Sequence, residues 1–158
     1  MAQKIITNLW FDSQAEEAVA FYTSLFKDSR VVSVARYPEN SPGEAGTVMT
    51  LEFELAGQRF VAINGGPEFP FTEAMSLQVD CEDQAEIDYL WGALTADGGA
   101  ESQCGWCKDR WGLNWQIVPK GMEEFFNGSD ADRIQRAMTA MLGMRKLDLA
   151  ALEAAAAG

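Results

Sequence analysis

The chain has 158 residues, 47% of them hydrophobic and 23% charged, enough to bury a sizeable core as one domain. Twelve basic against 24 acidic residues leave a formal charge of −12, which argues against nucleic acid and anionic lipid surfaces as partners. Histidine is absent, so a Ser-His-Asp triad, a Cys-His pair and a His-rich zinc site are excluded, and any catalysis must come from Asp, Glu, Cys, Tyr, Lys or a bound cofactor.

No apolar run approaches the ~20 residues that cross a bilayer, and the opening MAQKIITNLWFD alternates like a strand instead of carrying the apolar stretch of a signal peptide. Three cysteines, an odd number, make no disulfide framework, so a reduced, cytoplasmic setting is expected.

In chain order, Leu9 and Phe11 alternate with polar residues and predict a strand, followed by a helix with Ala18, Phe21, Tyr22 and Leu25 on its apolar face. Strand-like segments follow at Val31–Tyr37, Val48–Leu55 and Arg59–Asn64, separated by the Pro- and Gly-containing loop 38–46 and the Ala56-Gly57 turn. The pattern then repeats. Leu77 and Val79 lead to Asp80, and a helix follows with Ile87, Leu90, Trp91 and Leu94 on one face. After the turn Asp97-Gly98-Gly99 come a short segment near Glu101–Cys104, a turn at Asp109–Gly112 and a strand at Leu113–Val118.

The stretches LWFDSQAEEAVAFY and LQVDCEDQAEIDYLW echo each other, with Asp80 falling 68 residues after Asp12. Each half therefore reads β-α-β-β-β. In such a unit the helix covers one sheet face, and the other must curl around something or meet its counterpart. Two curved half-sheets side by side make an open trough lined by the helix-averted face of every strand. Beyond Pro119, Ser129 or Asp130 can cap a helix with Ile134, Met138, Met141 and Leu142 on its apolar face. Gly143 permits a break before a second helical stretch, Arg145–Ala157. Methionine-rich helices of this kind serve either as core filler or as an arm on a second subunit.

The runs KIITNLWFDSQAEEAVAFYTSLF, INGGP, EAMSLQVDCEDQAEIDYLW and CGWCKDRWGLNWQIVP together resemble the PhnB-like branch of the vicinal oxygen chelate superfamily. That superfamily also contains glyoxalase I, bleomycin- and fosfomycin-resistance proteins and extradiol dioxygenases. The resemblance implies an α+β fold of paired βαβββ modules forming an open curved sheet with C-terminal helices. The expected organisation is one domain, with a first module at 1–67, a second at 68–120 and a helical extension at 121–158. It also implies a small-molecule cavity and a homodimer. The superfamily's metal ligands, commonly His, His and Glu, sit on the first strand of each module and on the last strand. Carried over through the repeat, those positions fall near Ile6, Ala74 and Gln116, none of them His or a carboxylate. A metal-free, cofactor-free protein is therefore expected. Members of this branch often carry a 3-demethylubiquinone methyltransferase label. The glycine pairs Gly65-Gly66 and Gly98-Gly99 nevertheless read as turns and not as a nucleoside-binding loop before a helix.

With Leu9 and Phe11 on the helix side, Asn8 and Trp10 face the trough, and by the repeat so do Ser76 and Gln78. In the last strand Asn114 and Gln116 oppose Leu113, Trp115 and Ile117, and in Val48–Leu55 the residues Thr50, Glu52 and Glu54 oppose the apolar set Met49, Leu51, Phe53 and Leu55. This cavity is amide-rich, with Trp10 as an aromatic wall, and suits small neutral or cationic organic ligands. Cys104-Gly105-Trp106-Cys107 has thiol-redox spacing, but Lys108-Asp109-Arg110 and a turn into a strand follow where a helix N-terminus would be needed. Two cysteines cannot complete a zinc site, and Cys81 adds a third ligand at most. The stretch therefore reads as a loop and closing strand that rims the cavity, with Trp106 as a candidate ligand contact. The function expected is small-molecule binding. The alternative is a metal-independent enzyme using Glu52 or Glu54 as general base or Cys104 as nucleophile. Methyl transfer and thiol redox chemistry are weaker readings.

Overall fold

The structure, a computed structural model, describes residues 2–158. It divides into two compact units, the first ending at Pro70 and the second running from Phe71 to Gly158. The C-terminal helices thus belong to the second unit.

The first unit contains β1 (Thr7–Phe11), α1 (Ala15–Leu25), β2 (Arg30–Arg36), β3 (Val48–Leu55) and β4 (Gln58–Asn64). The strands form one sheet in the order β1-β4-β3-β2, with β1 parallel to β4 and the other pairs antiparallel. Leu9, Phe11, Leu51, Phe53, Leu55, Phe60 and Ala62 are buried with Ala15, Ala18, Val19 and Tyr22 of α1. The buried helical stripe is therefore rotated from the expected one. Val19 belongs to it, and Phe21 and Leu25 are only half-buried. Positions 15, 18, 19 and 22 keep the i, i+3, i+4, i+7 spacing, so the period was right and its phase was not. Gln14, before α1, makes no side-chain cap; Asn64 on β4 supplies it by accepting from the Ala15 N–H at 2.9 Å. The edge strand β2 is exposed along its length, and two register irregularities against β3 disrupt it as a template for further pairing.

The second unit repeats this plan with β5 (Ser76–Cys81), α2 (Gln84–Thr95), β6 (Ala100–Glu101), β7 (Trp106–Lys108) and β8 (Asn114–Pro119). The order is β5-β8-β7-β6, again with the first strand parallel to the last. Ile87, Leu90, Trp91 and Leu94 of α2 are all buried, as the spacing predicts. Asp83 caps α2 by accepting from the Glu86 N–H, and the Glu86 carboxylate accepts in return from the Glu82 N–H at 2.7 Å. The segment expected near Glu101–Cys104 is corrected. It shrinks to β6, and a separate strand β7 follows. Cys104 (φ +57°) and Gly105 (φ +83°) are left-handed and turn the chain between the two strands.

After a short 3-10 turn at Met122–Phe125 come α3 (Ala131–Leu142) and α4 (Leu149–Ala157). Asp130 caps α3 through the Arg133 N–H, and Asp148 caps α4 through the Ala151 N–H. The second helix thus starts four residues later than the sequence reading placed it. On α3 Ala137 is buried and Leu142 is 61% exposed, which corrects the expected apolar face. Leu147 and Leu152 form a buried cluster with Val118, against which Met122, Phe125, Met141 and Met144 pack. The methionines here fill a core within their own unit.

Candidate functional site

Register decides what the two averted faces carry. Phe11 ends β1 opposite Asn64, and Cys81 ends β5 opposite Pro119, so Cys81 stands 70 residues after Phe11. The sequence echo at 68 residues is two too short. Asp12 corresponds to Glu82, and Asp80 lies inside β5. A slip of two leaves every side chain on its expected face. It does move the counterpart of Ile6 from Ala74 to Ser76.

On the first sheet three cross-strand rows form the averted face. One is Arg59–Glu54–Arg30, the next Asn8–Val61–Glu52–Ser33, and the third Trp10–Ile63–Thr50–Ala35. The Trp10 indole donates to the Gly66 carbonyl at 2.9 Å and meets Phe69 edge-on with centroids 5.0 Å apart. A Cβ at Gly65 would lie 2.2 Å from that ring, so only glycine permits this packing. Asn8 is exposed and donates to the Ile6 carbonyl at 3.2 Å. Glu52 accepts from Arg59 Nε at 2.8 Å and from Ser33 Oγ at 3.4 Å. Glu54 accepts from Arg30 Nε at 2.8 Å, and that hydrogen bond holds its carboxyl below the usual carboxylate range. Both glutamates are committed to guanidinium partners, which is a poor arrangement for a general base.

The averted face of the second sheet brings together five residues singled out from the sequence. Ser76 pairs with Asn114, and Gln78 with Gln116, which also pairs with Trp106 on β7. Gln116 Nε2 donates to Ser76 Oγ at 2.9 Å, and Gln78 Nε2 donates to Asp80 Oδ1 at 2.8 Å. Asn114 has the expected register but is only 2% exposed and donates to the Gly112 carbonyl at 3.3 Å, so it supports the turn before β8. Lys108, next to Asn114 in register, forms an ion pair with Glu73, whose carboxyl is thereby held below its ordinary range. Val118 continues this face and is covered by the Leu147–Leu152 cluster.

The thiols of the C-x-x-C stretch lie in different surroundings. Cys107 is in register with Trp115, on the helix side of the sheet, and fully buried. Burial, then Asp109 and Glu101, push its thiol up to about 12. Cys81 is also buried, and its thiol is likewise pushed to about 12, chiefly by burial. Cys104 is half-buried in the turn, and its N–H donates to the Met144 carbonyl at 2.9 Å.

Two features escaped the sequence reading. Asp109 is 2% exposed and accepts from the Trp111 N–H, the Leu113 N–H and the Trp115 indole at 2.9, 3.1 and 3.0 Å. The middle of the tryptophan-rich CGWCKDRWGLNW run, from Asp109 to Leu113, is thus a locked turn between β7 and β8. The signal was an Asp opening a turn that closes on Gly112, with an indole donor six residues on. The second feature is a cleft of about 450 Å³ in the first unit, between the start of α1, loop 37–47 and Gly65-Gly66. Asp12, Glu16, Glu44 and Tyr37 line it, and the Tyr37 hydroxyl donates to the Asn64 carbonyl at 2.6 Å.

Among the described residues no group of three or more His, Cys, Asp or Glu could hold a metal ion. The positions corresponding to the superfamily's ligands carry an alkyl chain (Ile6), a hydroxyl (Ser76) and an amide (Gln116), a donor set that does not fit a divalent cation. Among the described residues no helix is long and apolar enough to cross a membrane.

The sequence matches the family described as 3-demethylubiquinone-9 3-methyltransferase over residues 3–118. No functionally curated protein matches it. Among solved structures it is similar to a Bacillus cereus PhnB protein provisionally named 3-demethylubiquinone-9 3-methyltransferase. Identity is 43%, covering 74% of this chain and 99% of that one, with a TM-score of 0.68. The Pseudomonas aeruginosa protein PA1353 shares the fold at 19% identity and TM-score 0.61, covering 75% of this chain and 98% of that one. The Listeria monocytogenes fosfomycin resistance protein FosX shares it at 14% identity and TM-score 0.55, covering 78% and 98%. With two sheets of identical strand order and these relatives, the chain belongs to the 3-demethylubiquinone-9 3-methyltransferase family, the PhnB-like branch of the vicinal oxygen chelate superfamily.

Proposed function

We propose that the protein binds a small organic molecule on the averted face of its second sheet, without a metal ion, as a cytoplasmic homodimer. The observation that supports this best is the cross-strand row Gln78–Gln116–Trp106 with Ser76 beside it. These side chains occupy a half-exposed face where the superfamily's cation ligands would otherwise project. Amides and a hydroxyl grip polar organic groups well and divalent cations poorly. Asn8 and Trp10 on the first sheet are the further candidate contacts. The methyl transfer in the family name is not part of this reading. Gly65-Gly66 leads from β4 into a loop and Gly98-Gly99 leads into β6, so neither glycine pair precedes the helix N-terminus that a nucleoside cofactor's phosphate would use.

Thermal denaturation across a small-molecule collection tests the proposal. A ligand present at a hundred times its Kd adds about 2.7 kcal/mol, which raises Tm by several degrees in a chain of this size. Zinc, nickel and manganese salts should leave Tm unchanged, and elemental analysis of the purified protein should find no stoichiometric metal. Stoichiometric metal, or a collection that never moves Tm, overturns the reading.

An enzymatic alternative rests on Cys104, the half-exposed thiol in a left-handed turn beside β7. It requires that Cys104→Ser abolish turnover of any substrate found while leaving binding intact.

A further inference from the structure

We propose, resting on the reading that the second sheet's averted face is the ligand site, that the ligand is an uncharged, flat molecule bearing hydrogen-bonding groups. The charges on that face leave little for an ionic ligand. Among the described residues, the cation on that face is Lys108, and it is paired with Glu73. The carboxylate on that face, Asp80, is exposed and accepts from Gln78. An exposed charge of this kind gains little from a counter-ion in water. What the centre of the face offers is neutral. Gln116 spends one N–H on Ser76 and keeps its carbonyl oxygen and second N–H for a ligand. Trp106, its cross-strand neighbour and half-buried, presents a ring on which a planar group can stack. A carboxylate or phosphonate placed there would meet a lysine already paired with Glu73 and would enter a chain of net charge −12. A cation would gain from that charge only at long range, where salt screens it.

The experiment compares three probes of one shape: 2-naphthamide, 2-naphthoate and 2-naphthylmethylamine, titrated calorimetrically near neutral pH at physiological salt. The amide should bind about tenfold or more tightly than either charged probe, the worth of one hydrogen bond not traded for desolvation of a charge. Trp106→Ala should weaken the amide about tenfold. Gln116→Glu keeps the shape of the side chain and adds a charge, so it should invert the order in favour of the amine. Naphthoate or the amine binding the wild-type protein as tightly as the amide overturns the inference and leaves the small-molecule reading standing. An unchanged order in Gln116→Glu, with circular dichroism confirming the fold, also overturns it. Binding of none of the three overturns the inference, and the small-molecule reading is then decided separately by the thermal-denaturation collection.

Discussion

The two sheets share one topology and differ in how each finishes the face its helix leaves open. In the first, a charged row Arg59–Glu54–Arg30 sits at one end and the half-buried Trp10 at the other, resting on Gly65, Gly66 and Phe69. In the second, Asn114 and Lys108 replace Arg59 and Glu54, Gln116 and Trp106 replace Val61 and Glu52, and Val118 replaces Ile63. The end that Trp10 covers in the first unit is covered in the second by Leu147, Leu152 and the methionines around them, which lie beyond the family match at residue 118. A duplicated plan thus fixes strand order and register, and leaves the exposed face free to diverge. The divergence runs from ion pairs toward amides.

The largest expected difference between the halves is in the turn before the last strand. Asp109→Ala leaves the Trp115 indole and two backbone N–H groups buried without their acceptor. Each such donor costs about 1–3 kcal/mol, so we expect a loss of about 3–5 kcal/mol in urea denaturation. The corresponding turn of the first unit, Ala56-Gly57, is exposed, and nothing lies within 4 Å of a Cβ added at Gly57. Gly57→Ala should cost only about 1 kcal/mol, all of it from the left-handed backbone. Equal losses from the two variants would sink the idea that Asp109 locks its turn.

Next comes the cover of each face. Leu147→Ala removes a fully buried side chain from the Val118 cluster and should cost about 2–5 kcal/mol. Phe69→Ala, on the cover of the first sheet, removes a ring that is 63% exposed and should cost about 1 kcal/mol.

What the sequence made legible follows the same division. The period-2 alternation and the i, i+3, i+4 stripes gave both strand-helix units, because a sheet with one buried face must alternate. The stripe of α2 was read correctly and that of α1 was misphased, since Phe21 looks like core but Ala15 and Val19 lie closer to the sheet axis of the helix. Strand β7 was missed because three residues carry no periodicity, and only the two left-handed residues before it mark its start. The repeat was visible but its offset was two short. The echo of Asp12 at Asp80 aligns the halves by residue type, whereas hydrogen-bond register, which no residue letter records, aligns Phe11 with Cys81. The expected faces of Ser76, Gln78 and Gln116 are unaffected, because face parity is insensitive to a slip of two. The partners of Glu52, Glu54 and Lys108 were not legible, since cross-strand ion pairs depend on register.

All three cysteines lie in the second unit, so alkali should act there first. Cys81 and Cys107 have thiols raised from 9.0 to about 12 by burial. A thiol kept protonated by the fold contributes nothing to the pH dependence below its unfolded pKa. Above about pH 9 the unfolded chain releases protons that the native state retains, so stability falls as pH rises from about 9 toward 12. Each thiol removes at most about 1.4 kcal/mol per pH unit in that window. Urea denaturation at pH 8 and pH 10 (roughly one unit either side of the usual thiol pKa) checks it, and Cys81→Ala with Cys107→Ala should flatten the slope. Ellman's reagent should label Cys104 before the other two; simultaneous labelling of all three would contradict their burial.

The smallest effect concerns the charged row of the first sheet. Arg30 is 68% exposed at its side chain and Arg59 38%, so neither ion pair is dry. Arg59→Ala should therefore cost under about 1 kcal/mol, and added salt should shrink the difference. Glu54 carries the acid signature. Its carboxyl is depressed by the Arg30 hydrogen bond, so its contribution is present above the unfolded carboxylate pKa and is lost as pH falls through the depressed native value. Arg30→Ala should abolish that part of the acid dependence through a small loss of stability near neutral pH that disappears at low pH, where Glu54 is protonated in either protein. A large loss at neutral pH would mean instead that the row Arg59–Glu54–Arg30 holds the sheet together, and the contrast with the amide face of the second sheet would then be one of stability and not of ligand chemistry.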